Sequence, residues 1–164
     1  MKFLKLTKLD QDAMYAELES MPDFLADTFR GLSPAEASTP RSADAFSPVE
    51  QCWHLADLER EGFSVRIRRL LEAPNPWLED FDGARVARER QYKQRSLAEG
   101  IAVFRQARLD NLALIQSITP DGWMRRGEQE GVGVVMLCDI PSMMAEHDTA
   151  HREEIAEWLR AAKG

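Results

Sequence analysis

His147 and His151 stand four positions apart in the stretch Glu146-His147-Asp148-Thr149-Ala150-His151, which reads as helix. On an α-helix that spacing stacks the two imidazoles one turn apart on nearly the same face, so both rings can reach one ion. The chain has only one other histidine in 164 residues, His54, inside a second amphipathic stretch far upstream. Three protein ligands with an open fourth position are the arrangement of a catalytic metal site rather than a structural one. Two buried imidazoles one turn apart also repel each other when protonated, which favours neutral rings able to take a cation. A single histidine on an apolar face is more often a core residue satisfied by a hydrogen bond. Three on inward faces shift the balance toward a ligand set. Whether the helix of His54 packs beside that of the pair is a tertiary question that periodicity does not decide.

The pair is one letter from the HExxH signature of zinc proteases, in which glutamate is the general base. Asp148 stands in that place and is a methylene shorter, which disfavours the protease chemistry. Asp57, three positions after His54, and Glu146 and Asp148 beside the pair are the candidates to accept the other ring N–H and fix a tautomer. Each equally suits a solvated helix face. Cys52 lies two residues from His54 on another face, and Cys138 lies well before His147. Both read as small buried apolar residues, with no CxxC spacing and no disulfide framework. Neither GxxxxGK[ST] nor GxGxxG occurs, so nucleotide binding by those routes has no support.

The elements that must position these groups are helical. Met14, Leu18, Met21, Leu25, Phe29 and Leu32 recur at three- and four-residue steps and predict a first helix from about Leu9 to Arg30, with a kink or break near Met21 because Pro22 lacks an N–H. Ser33-Pro34-Ala35-Glu36 and Ser47-Pro48-Val49-Glu50 are capping boxes with proline at the first helical position. The first opens a short turn. The second opens a long helix to about Leu71 with Trp53, Ala56, Phe63, Ile67 and Leu70 on one stripe. A shorter polar helix is predicted over about Gly83 to Tyr92, within a basic run (Arg85, Arg88, Arg90, Lys93, Arg95) that reads as solvated. Ser96-Leu97-Ala98-Glu99 starts a helix ending near Ser117, and Gly127 to Gly133 reads as a glycine-rich loop. The last helix runs from about Leu137 to Ala161 with Ile140, Met144, His147, His151, Ile155 and Trp158 inward. Strand signals are nearly absent. Four long striped helices joined partly by long connections predict an all-α four-helix bundle with short extra helices in the connections, as one domain over 1–164.

Composition bounds the function. Apolar residues make up 44% and charged residues 30% of the chain, in the globular range, and no apolar run is long enough to cross a bilayer. With no signal-peptide pattern at the start, the expected location is cytoplasmic, without membrane partners. A net charge of -7 argues against nucleic acid as a partner, since phosphate-backbone binding usually needs a basic surface.

The capped helix bearing Trp53-His54-Leu55-Ala56-Asp57, the turn Thr119-Pro120-Asp121-Gly122-Trp123 and the final Glu146-to-His151 segment together resemble the DinB-like superfamily, including its YfiT-like metal-dependent enzymes. The resemblance spans nearly the whole chain, from the first helix to Trp158. It implies an up-down-down-up bundle binding one divalent metal ion, with His54, His147 and His151 as ligands, and often a homodimer. It also implies a small-molecule substrate and, by analogy with relatives that are transferases or isomerases, a low-molecular-weight thiol cosubstrate. The alternatives are a metal-dependent hydrolase using water, or a non-enzymatic metal-binding stress or interaction protein. Imidazole ligation is compatible with zinc, nickel, iron or manganese. Three neutral imidazoles leave an ion's double charge uncompensated, so it would lower the pKa of a bound thiol or water.

Overall fold

Side-chain caps set the helix starts. The computed structural model describes residues 3–162. Helix α1 (Lys8–Thr28) begins where Thr7 Oγ1 accepts the Asp10 N–H at 3.2 Å. The short α2 (Pro34–Ala37) follows Ser33, whose N–H is taken by the Glu36 carboxylate at 2.8 Å. Glu50 likewise accepts the Ser47 N–H at 2.9 Å and its hydroxyl at 2.7 Å, opening α3 (Pro48–Asp57). From α3 the chain continues through a π-helical stretch (Leu58–Phe63) into α4 (Ser64–Glu72). Then come α5 (Gly83–Glu89), α6 (Leu97–Gln116) and α7 (Ile140–Ala162). Of the capping box expected at α6, the serine half is present: Ser96 Oγ accepts the Glu99 N–H at 3.2 Å.

Interhelical contacts fix the topology. Asp23–Arg105 at 2.7 Å and the Leu18 carbonyl–Arg108 bond at 2.9 Å run α1 antiparallel to α6. Arg152–Ser20 at 3.3 Å and the Phe29–Trp158 ring pair run α1 parallel to α7. Trp53 donates to the Ser96 carbonyl at 2.9 Å and Glu59 meets Arg108, so α3 and α6 are parallel, while Gln51–Glu154 at 2.7 Å and His54–His147 at 3.5 Å set α3 antiparallel to α7. The result is an up-down-down-up four-helix bundle in which α3 and α7 are neighbours, the packing that periodicity left open.

Two apolar clusters fill the bundle. Met21, Leu25, Phe29, Trp53, Phe104 and Ile155 belong to one, and Leu18, Phe63, Ile67, Ile115 and Met144 to the other. Burying such side chains supplies about 1.5–3 kcal/mol each. The polar groups Glu59, Arg108, Asn111 and Asp148 are also buried in the bundle.

Three readings need correction. No break occurs near Met21: helix α1 is continuous through the buried Pro22, where packing against neighbouring helices offsets the one missing hydrogen bond. The Gly127-to-Gly133 segment is not a plain loop but part of a hairpin of β2 (Arg126–Gln129) and β3 (Gly133–Met136), and β1 (Trp77–Leu78) joins β2 in parallel. Gly131 and Gly133 take φ values of 73° and 94°, the left-handed region a tight hairpin turn uses. Strands of two to four residues are too short to show an alternating pattern. The basic run is only partly solvated, because Arg90 pairs with Asp57 and Glu61, and Arg95 lies over the Trp53 ring at 3.9 Å.

Candidate metal centre

Helix α3 delivers His54 and α7 delivers His147 and His151 to one point near the middle of the bundle. The Nε2 atoms of His54 and His147 lie 3.5 Å apart, and those of His147 and His151 lie 3.1 Å apart. One ligand nitrogen from each of the three falls within 4.8 Å of the others. Four nitrogens around a zinc-sized ion at about 2.1 Å stand about 3.4 Å from one another, so the observed separations suit a shared ion. His54 and His151 are 8% and 6% exposed, and His147 is partly exposed.

The electrostatics keep His54 and His147 neutral. Burial first, then the neighbouring His151, pushes His54 down to about 3. Burial, His151, His54 and the Arg108 guanidinium together push His147 down to about 2. A neutral imidazole keeps the lone pair a metal requires.

The tautomer of His151 is set by residues the sequence reading missed. Its Nδ1 meets Gln51 Oε1 and lies 3.5 Å from the Glu154 carboxylate, while Gln51 donates its amide N–H to Glu154 at 2.7 Å. With the proton on Nδ1, the Nε2 lone pair points at the other two rings. The N–H groups of His151 and Gln51 that face its carboxylate outweigh burial and hold Glu154 down to about 2. Gln51 and Glu154 each lie three residues from a histidine, one helical turn along the same face, so the signal was in the spacing.

Two of the proposed carboxylate partners, Asp57 and Asp148, are engaged elsewhere. Asp57 is fully buried, and its oxygens accept from Arg60 at 2.6 Å, Arg90 at 2.6 Å and Tyr92 at 2.6 Å, not from an imidazole. Burial works against its charge, yet these donors hold its carboxyl below the usual range. Asp148 takes two bonds from Arg108, at 2.6 and 3.0 Å, because its position turns it away from the His147 face. Glu146 is exposed. His54 Nδ1 is buried with no hydrogen-bond partner among the described residues. It lies against Gly83 at the start of α5, where an added Cβ would fall 2.5 Å from it. Nothing in the sequence marks that contact, which depends on how the connection folds back.

Phe46 and Phe81 flank His54 at ring-centroid distances of 5.2 and 6.0 Å, and Phe63 meets His147 edge-on at 6.2 Å. Phe63 comes from the π-helical stretch, a distortion often found at functional sites. A cleft of about 420 Å³, bordered by Arg41, Asp44, Phe46 and Ala84, opens onto His54, His151 and Glu154. A larger cavity, about 990 Å³, lies away from the histidines between α1, α2 and the start of α6. Cys52 and Cys138 are buried and free, and burial raises the Cys52 thiol well above its ordinary range. No helix among the described residues is long and apolar enough to cross a membrane.

A family model described as the DinB superfamily matches residues 17–155. Among solved structures, YfiT from Bacillus subtilis, described as a probable metal-dependent hydrolase with an unusual four-helix bundle topology, aligns with a TM-score of 0.86 at 18% identity. The alignment covers 97% of this chain and 91% of that one, and it shows a shared fold. No curated protein matches.

Proposed function

This chain belongs to the DinB superfamily, and we propose that it is a metal-dependent enzyme holding one divalent ion through Nε2 of His54, His147 and His151. The observation that carries this reading is the convergence of those nitrogens at 3.1 and 3.5 Å, with a cleft that opens onto His54 and His151. The ion would supply Lewis acidity, lowering the pKa of a thiol or water in its open position so that the anion is available as nucleophile near neutral pH.

The nucleophile we favour is the sulfur of a low-molecular-weight thiol, in an S-transferase or isomerase reaction on an electrophilic small molecule. Both cysteines of the chain are buried, so the thiol would arrive with a cosubstrate. Asp57, Asp148 and Glu154 are all engaged in hydrogen bonds, which favours a nucleophile needing less help from a base than water does; a thiol starts from a pKa of about 8.5. Gln51 and Glu154 hold the His151 ring, while Phe46 gives the cleft an apolar wall and Phe81 packs against His54.

Hydrolysis is the second reading. The description of YfiT supports it, as does Asp44, whose exposed carboxylate borders the cleft and can accept a proton from water. Turnover of an epoxide, a haloarene and an ester by metal-loaded protein, with and without cysteine-derived thiols, separates the two. Thiol-dependent consumption of the electrophile, absent in His147→Ala, is the expected result. Ester cleavage indifferent to thiol would instead select the hydrolase.

A further inference from the structure

The cavity of about 990 Å³ lies on the far side of α3 from the histidines: Val49 lines it, whereas Gln51 and His54 line the metal cleft. Its floor is apolar, formed by Phe29, Leu32, Val49, Leu97 and Ile101, of which Phe29 and Val49 are 3% and 2% exposed. Its charge is what distinguishes it. Aspartate and glutamate supply 28 of the 164 residues and outnumber lysine and arginine, yet none lines this cavity, while Arg30, Lys93 and Arg95 do. Arg30 is already paired with Asp27. Lys93 and Arg95 have no carboxylate partner among the described residues. Arg95 is held in place by stacking on Trp53 at 3.9 Å, and Trp53 is itself tied to the Ser96 carbonyl at 2.9 Å, an arrangement that orders the guanidinium without neutralising it. Unneutralised cations over an apolar floor, in a chain of net charge -7, are complementary to one kind of occupant.

We infer that this cavity is a second binding site, for a free organic monoanion whose apolar body lies on Phe29, Leu32, Val49 and Ile101 and whose carboxylate meets Lys93 and Arg95. The volume is at the upper end of the roughly 300–1,000 Å³ typical of small-molecule sites. The inference needs no metal and stands apart from the proposed reaction. Its distinguishing requirement is that charge and apolar body act together. A neutral ligand of the same shape keeps only the floor contacts, and an inorganic anion keeps only the rim.

Titrating the full chain with octanoate, followed by backbone amide resonances, tests the site. Saturable shifts are expected at Leu32, Val49, Ser96 and Ile101. Octanamide, uncharged and of equal length, should bind at least about tenfold more weakly. The double substitution Lys93→Gln with Arg95→Gln should weaken octanoate by about tenfold and leave octanamide unchanged. Ala35→Glu, which adds a carboxylate to the exposed lining while keeping both cations, should weaken octanoate in the same way. Equal affinity for octanoate and octanamide would overturn the inference. So would the absence of saturation, shifts centred on Gln51 and His151, or binding to phosphatidylglycerol vesicles without binding to octanoate.

Discussion

Gly83 is the residue on which the position of His54 most depends. A Cβ there would lie 2.4 Å from His54 Cε1 and 2.5 Å from Nδ1, closer than any real contact, and the ring atoms it would strike are rigid. Gly83→Ala is therefore expected to push the imidazole off its position while α5, exposed over most of its surface, still forms. Chelator competition should show metal affinity reduced by about 10–100-fold, the range seen when groups that orient a ligand are altered; an unchanged affinity would mean that His54 is not a ligand. The depressed pKa values give a second test at this scale. As pH falls below about 6.5, histidines of the unfolded chain take up protons while His54 and His147, held down to about 3 and about 2, do not. The unfolded state then binds more protons, so stability of the metal-free protein is lost on acidification, by up to about 1.4 kcal/mol per pH unit for each imidazole. Urea unfolding with chelator present should be level between pH 8 and 7 and weaken from pH 6.5 to 5, where Glu154, held down to about 2, does not yet contribute. Stability that stays level over that lower range would show that these imidazoles are freely protonated in the fold.

Among the elements, the helices around Arg108 share one buried polar hub. The guanidinium donates to the Leu18 carbonyl of α1 at 2.9 Å, to both oxygens of Glu59 in the π-helical stretch at 3.0 Å, and to Asp148 of α7, so every long helix of the bundle is joined through it. Asn111 adds bonds to the Glu59 carbonyl and carboxylate at 3.0 Å. Burial opposes the charge on Arg108, but Glu59 and Asp148 more than offset it and raise its pKa. Because Asp148 adjoins His147, this hub also fixes the rotation of α7 about its axis. Arg108→Met leaves two buried carboxylates without a countercharge and is expected to cost about 3–5 kcal/mol in denaturant unfolding. A loss below about 1 kcal/mol would show that the hub is dispensable. The caps and stripes of these helices were legible in the sequence: Ser33, Ser47 and Ser96 marked starts, and Leu18, Met21, Leu25, Ile67 and Ile155 marked inward faces. The π-helical turn was not, since one extra residue in a turn leaves the apolar spacing nearly intact. The hub was not legible either, because Glu59, Arg108 and Asp148 look like ordinary helix charges until three helices bring them together.

For the molecule as a whole, the bundle and the histidine set could be read ahead of the structure, and their support could not. Helical spacing placed His147 and His151 on one face; only the antiparallel docking of α3 on α7 brings His54 to them. That docking also decides which polar groups meet the imidazoles: Gln51 and Glu154 reach His151, while Asp57 and Asp148 pair with arginines. The short sheet escaped notice because its pairing joins Trp77–Leu78 to Arg126–Gln129 across the whole of α5 and α6, a non-local contact between strands too brief to pattern. The account rests on the three nitrogens sharing an ion. Its most direct test is elemental analysis of purified protein reconstituted with a divalent metal and desalted, for wild type and for His54→Ala, His147→Ala and His151→Ala, with helical circular dichroism recorded on each. About one tightly held ion per wild-type chain is predicted, with near-complete loss in every folded variant. Folded variants that retain the wild-type stoichiometry would contradict the three-histidine centre.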